Sequence, residues 1–70
     1  GAMDFVKIPN FIKSDSTKAL QAANKAGLDV LFSGDPSRKI VNQYPAPGEF
    51  VPFGTVILLE TEEPETNENE

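Results

Sequence analysis

An α+β fold, one helix packed on a three-stranded, mainly antiparallel sheet with a short N-terminal strand, is what this 70-residue chain predicts. Three observations lead there. Residues 16–26 contain neither Gly nor Pro, are rich in Ala, and follow good capping chemistry. Three β-favouring runs separated by turn residues come after them, and a shorter one comes before. A helix segregated to one face of an antiparallel sheet is the α+β arrangement.

The elements follow in chain order. Phe5-Val6-Lys7-Ile8 is a short β-favouring run that Pro9 stops, because proline has no N–H to donate to a ladder. Asn10-Phe11-Ile12 is a connector with two large apolar side chains. Ser14-Asp15-Ser16 supplies the N-cap, with Asp15 as the capping residue. From Ser16 to Ala26 the chain is helical, with Ala19, Leu20, Ala23 and Ala26 making one apolar face. Gly27 ends the helix in a left-handed conformation.

Leu28 to Phe32 is then a strand, with Leu28, Val30 and Phe32 on one face. Ser33-Gly34-Asp35-Pro36-Ser37 is a turn, and Lys39 to Tyr44 is a second strand, so the two are expected to form a hairpin. Pro45-Ala46-Pro47-Gly48 breaks the ladder and a loop runs to Gly54. Thr55 to Leu59 is the last strand.

This length fits one domain with a thin core, since a chain this small buries only about 60% of its unfolded surface. There is no Cys, so no disulfide or thiolate metal site holds it together. No apolar run approaches the ~20 residues that span a bilayer. Gly1-Ala2-Met3 reads as the remnant of a cleaved expression tag, which makes the chain a piece of a longer protein. The net charge of −5 is concentrated at one end: residues 60–70 carry six Glu and no basic group. The other 59 residues are near neutral, with five acidic against six basic groups. No basic stripe of the kind nucleic acid requires is present. Residues 62–70 hold no hydrophobe and are expected to form a disordered acidic tail, leaving 4–61 as the domain.

Four ordered segments resemble the PASTA domain, a module associated with penicillin-binding proteins and serine/threonine kinases. Ile8-Pro9-Asn10-Phe11-Ile12 resembles the opening Val-Pro-Asn motif of that family. Ala22-Ala23-Asn24-Lys25-Ala26-Gly27-Leu28 resembles its helix end. Val41-Asn42-Gln43-Tyr44-Pro45-Ala46-Pro47-Gly48 resembles its Gln-x-Pro-Ala-Pro-Gly signature, and Val51-Pro52-Phe53-Gly54-Thr55-Val56-Ile57-Leu58 its closing motif. Gly48 and Gly54 suit positive φ or tight turns. The resemblance, which is most like a single copy from a class B penicillin-binding protein, implies an extracytoplasmic module on a membrane-anchored parent. Its implied roles are positioning of the catalytic domain, protein contact, or binding of muropeptides or β-lactams.

Catalysis by the domain itself is not expected. There is no His and no Cys, and the Ser and Thr residues have no activating partner beyond scattered Lys side chains. Lys18 stands four residues after Ser14, not three, so a Ser-x-x-Lys motif is not formed there. No cofactor is implied. The tail glutamates could attract Ca²⁺, but ligation needs converging oxygens held by structure, and no metal site is expected.

Two candidate sites emerge. Arg38 and Lys39 could bind the carboxylates of a wall stem peptide, since guanidinium pairs with carboxylate bidentately; two ordinary surface cations on a solvated turn explain them too. The second is apolar. If Val56 and Leu58 face the helix, strand alternation turns Ile57 and Leu59 outward. With Leu31, Phe50 and Phe53 they would make an exposed contact patch, or else close over the small core. Tyr44 is a lesser contact candidate, with core packing the favoured reading.

The function expected is that of a non-catalytic positioning and interaction module in a peptidoglycan-synthesising penicillin-binding protein, in cell division or sporulation. Its partners would be the parent transpeptidase domain or wall-synthesis proteins, and the isolated domain would be a monomer. The alternative is a muropeptide or β-lactam sensing module of a membrane kinase, where several copies in series are usual.

Overall fold

A computed structural model describes residues 4–63; the expected tag remnant 1–3 and residues 64–70 of the expected tail lie outside the described residues. The chain forms β1 (Phe5–Lys7), α1 (Ser16–Ala26), β2 (Asp29–Ser33), β3 (Ile40–Tyr44), β4 (Phe50–Pro52) and β5 (Val56–Thr61). The fold is α+β, as the sequence predicts.

The helix is built by local chemistry. Asp15 sits in extended conformation and its carboxylate accepts from the Lys18 backbone N–H at 2.8 Å, satisfying one otherwise orphaned donor of the first turn. Gly27 ends the helix at φ 80°, and Gly27 and Leu28 donate back to Asn24 and Ala23. The face it buries is narrower than expected. Ala19 and Ala23 are fully buried, and Ala22 and Ala26 pack beside them, but Leu20 is exposed. Small Ala side chains let the helix approach the sheet closely.

The sheet differs from the expected hairpin. β2 and β3 do not pair; β5 lies between them, in the order β2-β5-β3. β5 runs parallel to β2 and antiparallel to β3. The most apolar strand therefore takes the central position, where both of its edges are paired. β1 pairs antiparallel with β4 in a separate two-stranded ribbon, so part of the expected loop before Gly54 is a strand.

The register also reverses the expected orientation of the last strand. Val30 lies opposite Ile57, and Phe32 opposite Leu59, so these four share the face toward α1. Ile57 and Leu59 are 0% exposed and form the core with Ile8, Phe11, Ala19, Ala23, Leu28 and Ile40. Burying each large side chain contributes about 1.5–3 kcal/mol. Val56 and Leu58 point the other way. The reason is Glu60: with Ile57, Leu59 and Thr61 inside, its carboxylate stays outside, whereas the opposite phase would bury a charge.

Candidate functional site

The outer face of the three-stranded sheet is the surface that the fold leaves uncovered. Leu31 is the register partner of Leu58, and Leu58 is that of Tyr44, so one row of large side chains crosses all three strands. Leu31 is 59% exposed and Tyr44 54%, and Val56, in the adjoining row opposite Asp29, is 56% exposed. The third row is polar: Ser33, Glu60 and Asn42, with the Asn42 amide donating to Glu60 Oε1 at 3.2 Å. The charges on these three rows, Asp29 and Glu60, are both acidic.

The residues expected to form one patch are thus divided. Leu31 lies on this outer face. Ile57 and Leu59 are removed from it, being core. Tyr44, expected in the core, belongs to the surface instead, because its neighbour Gln43 takes the inward position of β3. Phe50 is exposed on the β1–β4 ribbon, opposite Lys7 and two pairs from Phe5 and Pro52. Phe53 leans on the helix end: a side chain added at Gly27 would strike its ring. Its backbone N–H donates to Asp4, and Gly54 donates to Gly27 at 2.8 Å. Sequence reasoning turned Val56 and Leu58 inward and ranked Tyr44 only as a lesser contact candidate. Glu60 carried the signal, since it sets the phase of β5 once the strand is extended past Leu59.

The turn after β2 is organised by Asp35. Its Oδ1 accepts from the Ser37 N–H at 2.9 Å and the Ser37 hydroxyl at 2.8 Å. The Ser37 amide, then its hydroxyl, and more weakly Arg38 hold the Asp35 carboxyl below its ordinary pKa. Arg38 leaves this turn toward the end of β5, with Nε 4.0 Å from Glu62 Oε1, the outer limit of an ion pair. That Nε is buried and has no hydrogen-bond partner. Lys39 is exposed, and its carbonyl accepts from the Glu62 N–H. Nearby, a groove of about 450 Å³ is lined by Ser33, Asn42, Thr61 and three glutamates, Glu60, Glu62 and Glu63. The surroundings of Arg38 are therefore more acidic than its place in the sequence suggests.

Among the described residues no group of His, Cys, Asp and Glu is arranged to hold a metal ion. No described helix is long and apolar enough to cross a membrane. A capped helix on a small sheet whose far side carries an apolar row defines a small α+β domain. The PASTA domain family model matches residues 6–63, and the chain belongs to that family. It is thus a non-catalytic binding module of the extracellular kind associated with penicillin-binding proteins or kinases. Neither a curated protein nor a solved structure matches the chain.

Proposed function

We propose that this domain is a positioning and protein-contact module of a peptidoglycan-synthesising penicillin-binding protein, working outside the membrane in cell division or sporulation. The observation that carries this reading is the outer row Leu31–Leu58–Tyr44, exposed at both ends and half-buried at Leu58, with exposed Val56 beside it. A contiguous apolar face on so small a domain costs solubility unless a partner covers it. Its chemistry suits a protein surface better than a sugar or a charged stem peptide. Phe50, on the ribbon, and Phe53, at the helix end, are further contact candidates.

The sensing alternative rests on Arg38 and Lys39 at the turn after β2. Glu62 already stands beside the Arg38 guanidinium, so a wall carboxylate would have to displace it or bind in its field. This supports protein contact over stem-peptide capture.

A photo-crosslinking residue in place of Leu31, in the full-length parent in its native cell, tests the proposal. Fluorescent penicillin acylates transpeptidases and marks their class. A crosslink within, or to, a penicillin-labelled polypeptide is the expected result. Crosslinking to no such polypeptide, with amide shifts at Arg38 and Lys39 on adding soluble muropeptide, would overturn it in favour of the sensor.

A further inference from the structure

The two edges of the three-stranded sheet are treated differently. The outer edge of β3 is covered and irregular. Lys13 donates to the Ile40 carbonyl at 2.7 Å, and Ile40 donates back to Ser14 at 3.1 Å. The Gln43 side chain accepts from Phe11. A register shift between Ile40 and Asn42 breaks that edge further.

β2 has none of these protections. Asp29 pairs with Val56, and its N–H donates to Thr55 at 3.0 Å, so in a parallel ladder Asp29, Leu31 and Ser33 turn their backbone groups to β5. The N–H and C=O groups of Val30 and Phe32 then point to the free edge, where no described segment pairs with them. The strand holds no Pro, no bulge and no Lys, the usual devices that block edge pairing. Its outward side chains are Asp29, Leu31 and Ser33, and Leu31 begins the apolar row.

We infer that β2 is a strand-addition site: an extended segment of a partner protein pairs with the Val30 and Phe32 backbone and continues the sheet. The occupant's chemistry follows from the face it would extend. An apolar side chain beside Leu31 prolongs the Leu31–Leu58–Tyr44 row. The charges in its three rows, Asp29 and Glu60, are acidic, so the flanking residues of the segment are Lys or Arg. A second copy of β2 fits worse, because it would bring another Asp29 and no basic residue. Main-chain bonds would supply affinity and the alternate side chains selectivity. The inference deepens the protein-contact reading and rests on it for the role of the outer face.

The test uses two synthetic peptides with the isotopically labelled 70-residue chain: one alternating valine with lysine, and one alternating valine with glutamate. At millimolar peptide, the lysine form should shift the Val30 and Phe32 amides and slow their hydrogen exchange at least tenfold, and the glutamate form should not. Asp29→Lys, on an exposed side chain, leaves one Lys and one Glu on the face and should remove this preference. N-methylation of the Val30 nitrogen in a synthetic chain removes one edge donor and keeps the side chain; it should abolish the response. If the Leu31 and Leu58 methyl groups respond while the Val30 and Phe32 amides do not, strand addition is wrong and the contact face stands. If neither peptide moves any of them, strand addition is also overturned, and the Leu31 crosslink decides the face independently.

Discussion

Gln43 and Phe11 are joined by a buried hydrogen bond of 2.7 Å, from the Phe11 backbone N–H to Gln43 Oε1. The other end of the same amide donates to the carbonyls of Pro9 at 2.9 Å and Pro45 at 3.2 Å. One side chain on β3 thereby ties the connector before the helix to the proline turn after β3. Each of its polar atoms is used, which is the condition for burying an amide at 6% exposure without penalty.

Gln43→Leu should therefore cost more than its volume suggests. The Phe11 N–H and the Pro9 carbonyl would be left buried or forced open, at about 1–3 kcal/mol for each unsatisfied group. In a domain of this size, we expect a melting temperature lower by roughly 10 °C or more, given about 4–8 °C per kcal/mol. A melting curve indistinguishable from the parent would show that the connector is held by packing alone.

Gly27 and Phe53 make a second link between distant segments. Gly27 sits at φ 80°, where a Cβ is strained and would meet the Phe53 ring. Gly27→Ala should lose about 1–2 kcal/mol from the left-handed backbone alone, and more from the ring. The excess is separable by a double-mutant cycle with Phe53→Ala. In denaturant unfolding, the coupling should favour the double mutant; strict additivity would mean that the ring swings away at no cost.

Ile57 and Leu31 test the orientation of the sheet. Ile57→Ala removes a fully buried side chain and should destabilise by about 2–5 kcal/mol. Leu31→Lys alters a 59% exposed side chain and should stay within about 0.5 kcal/mol. Reversed magnitudes in parallel melting experiments would put Ile57 outside and Leu31 inside.

Asp35 gives a pH dependence. Its folded carboxyl titrates below the ordinary value, mainly because the Ser37 amide and hydroxyl donate to the charged form. A depressed folded pKa stabilises above the unfolded pKa, and that stabilisation is lost as pH falls through the folded one. The Ser37 amide resonance should accordingly move in acid, at a lower pH than an ordinary aspartate titrates, toward its position in Asp35→Asn. A Ser37 amide that titrates with an ordinary aspartate would contradict the turn geometry.

Some of this was legible in the residues. The helix and both its ends come from contacts within a few positions: Asp15 reaches Lys18, and Gly27 reaches back to Asn24. Gly48 and Gly54, expected at positive φ, adopt 89° and 81°. The signature segments needed only to be present in order, and the family match covers them. The candidate surface was half legible: Leu31 was placed on the outer face, but Ile57 and Leu59 were put there too.

What the sequence determined by itself was the local structure, because capping and turn chemistry act over three or four residues. Only the tertiary structure decided which strand is central, which face of β5 is buried and what Gln43 is for. Val56-Ile57-Leu58-Leu59 is apolar at every position, so alternation defines two faces without saying which is inside. The choice falls to Val30 and Phe32, distant in the chain, which set the phase through the parallel register, and to the adjoining Glu60, which would lose its water in the other. Non-local pairing, which no short window shows, together with the cost of burying the carboxylate that follows Leu59, turned the expected outer face into the core and left Leu58 and Tyr44 to build the surface.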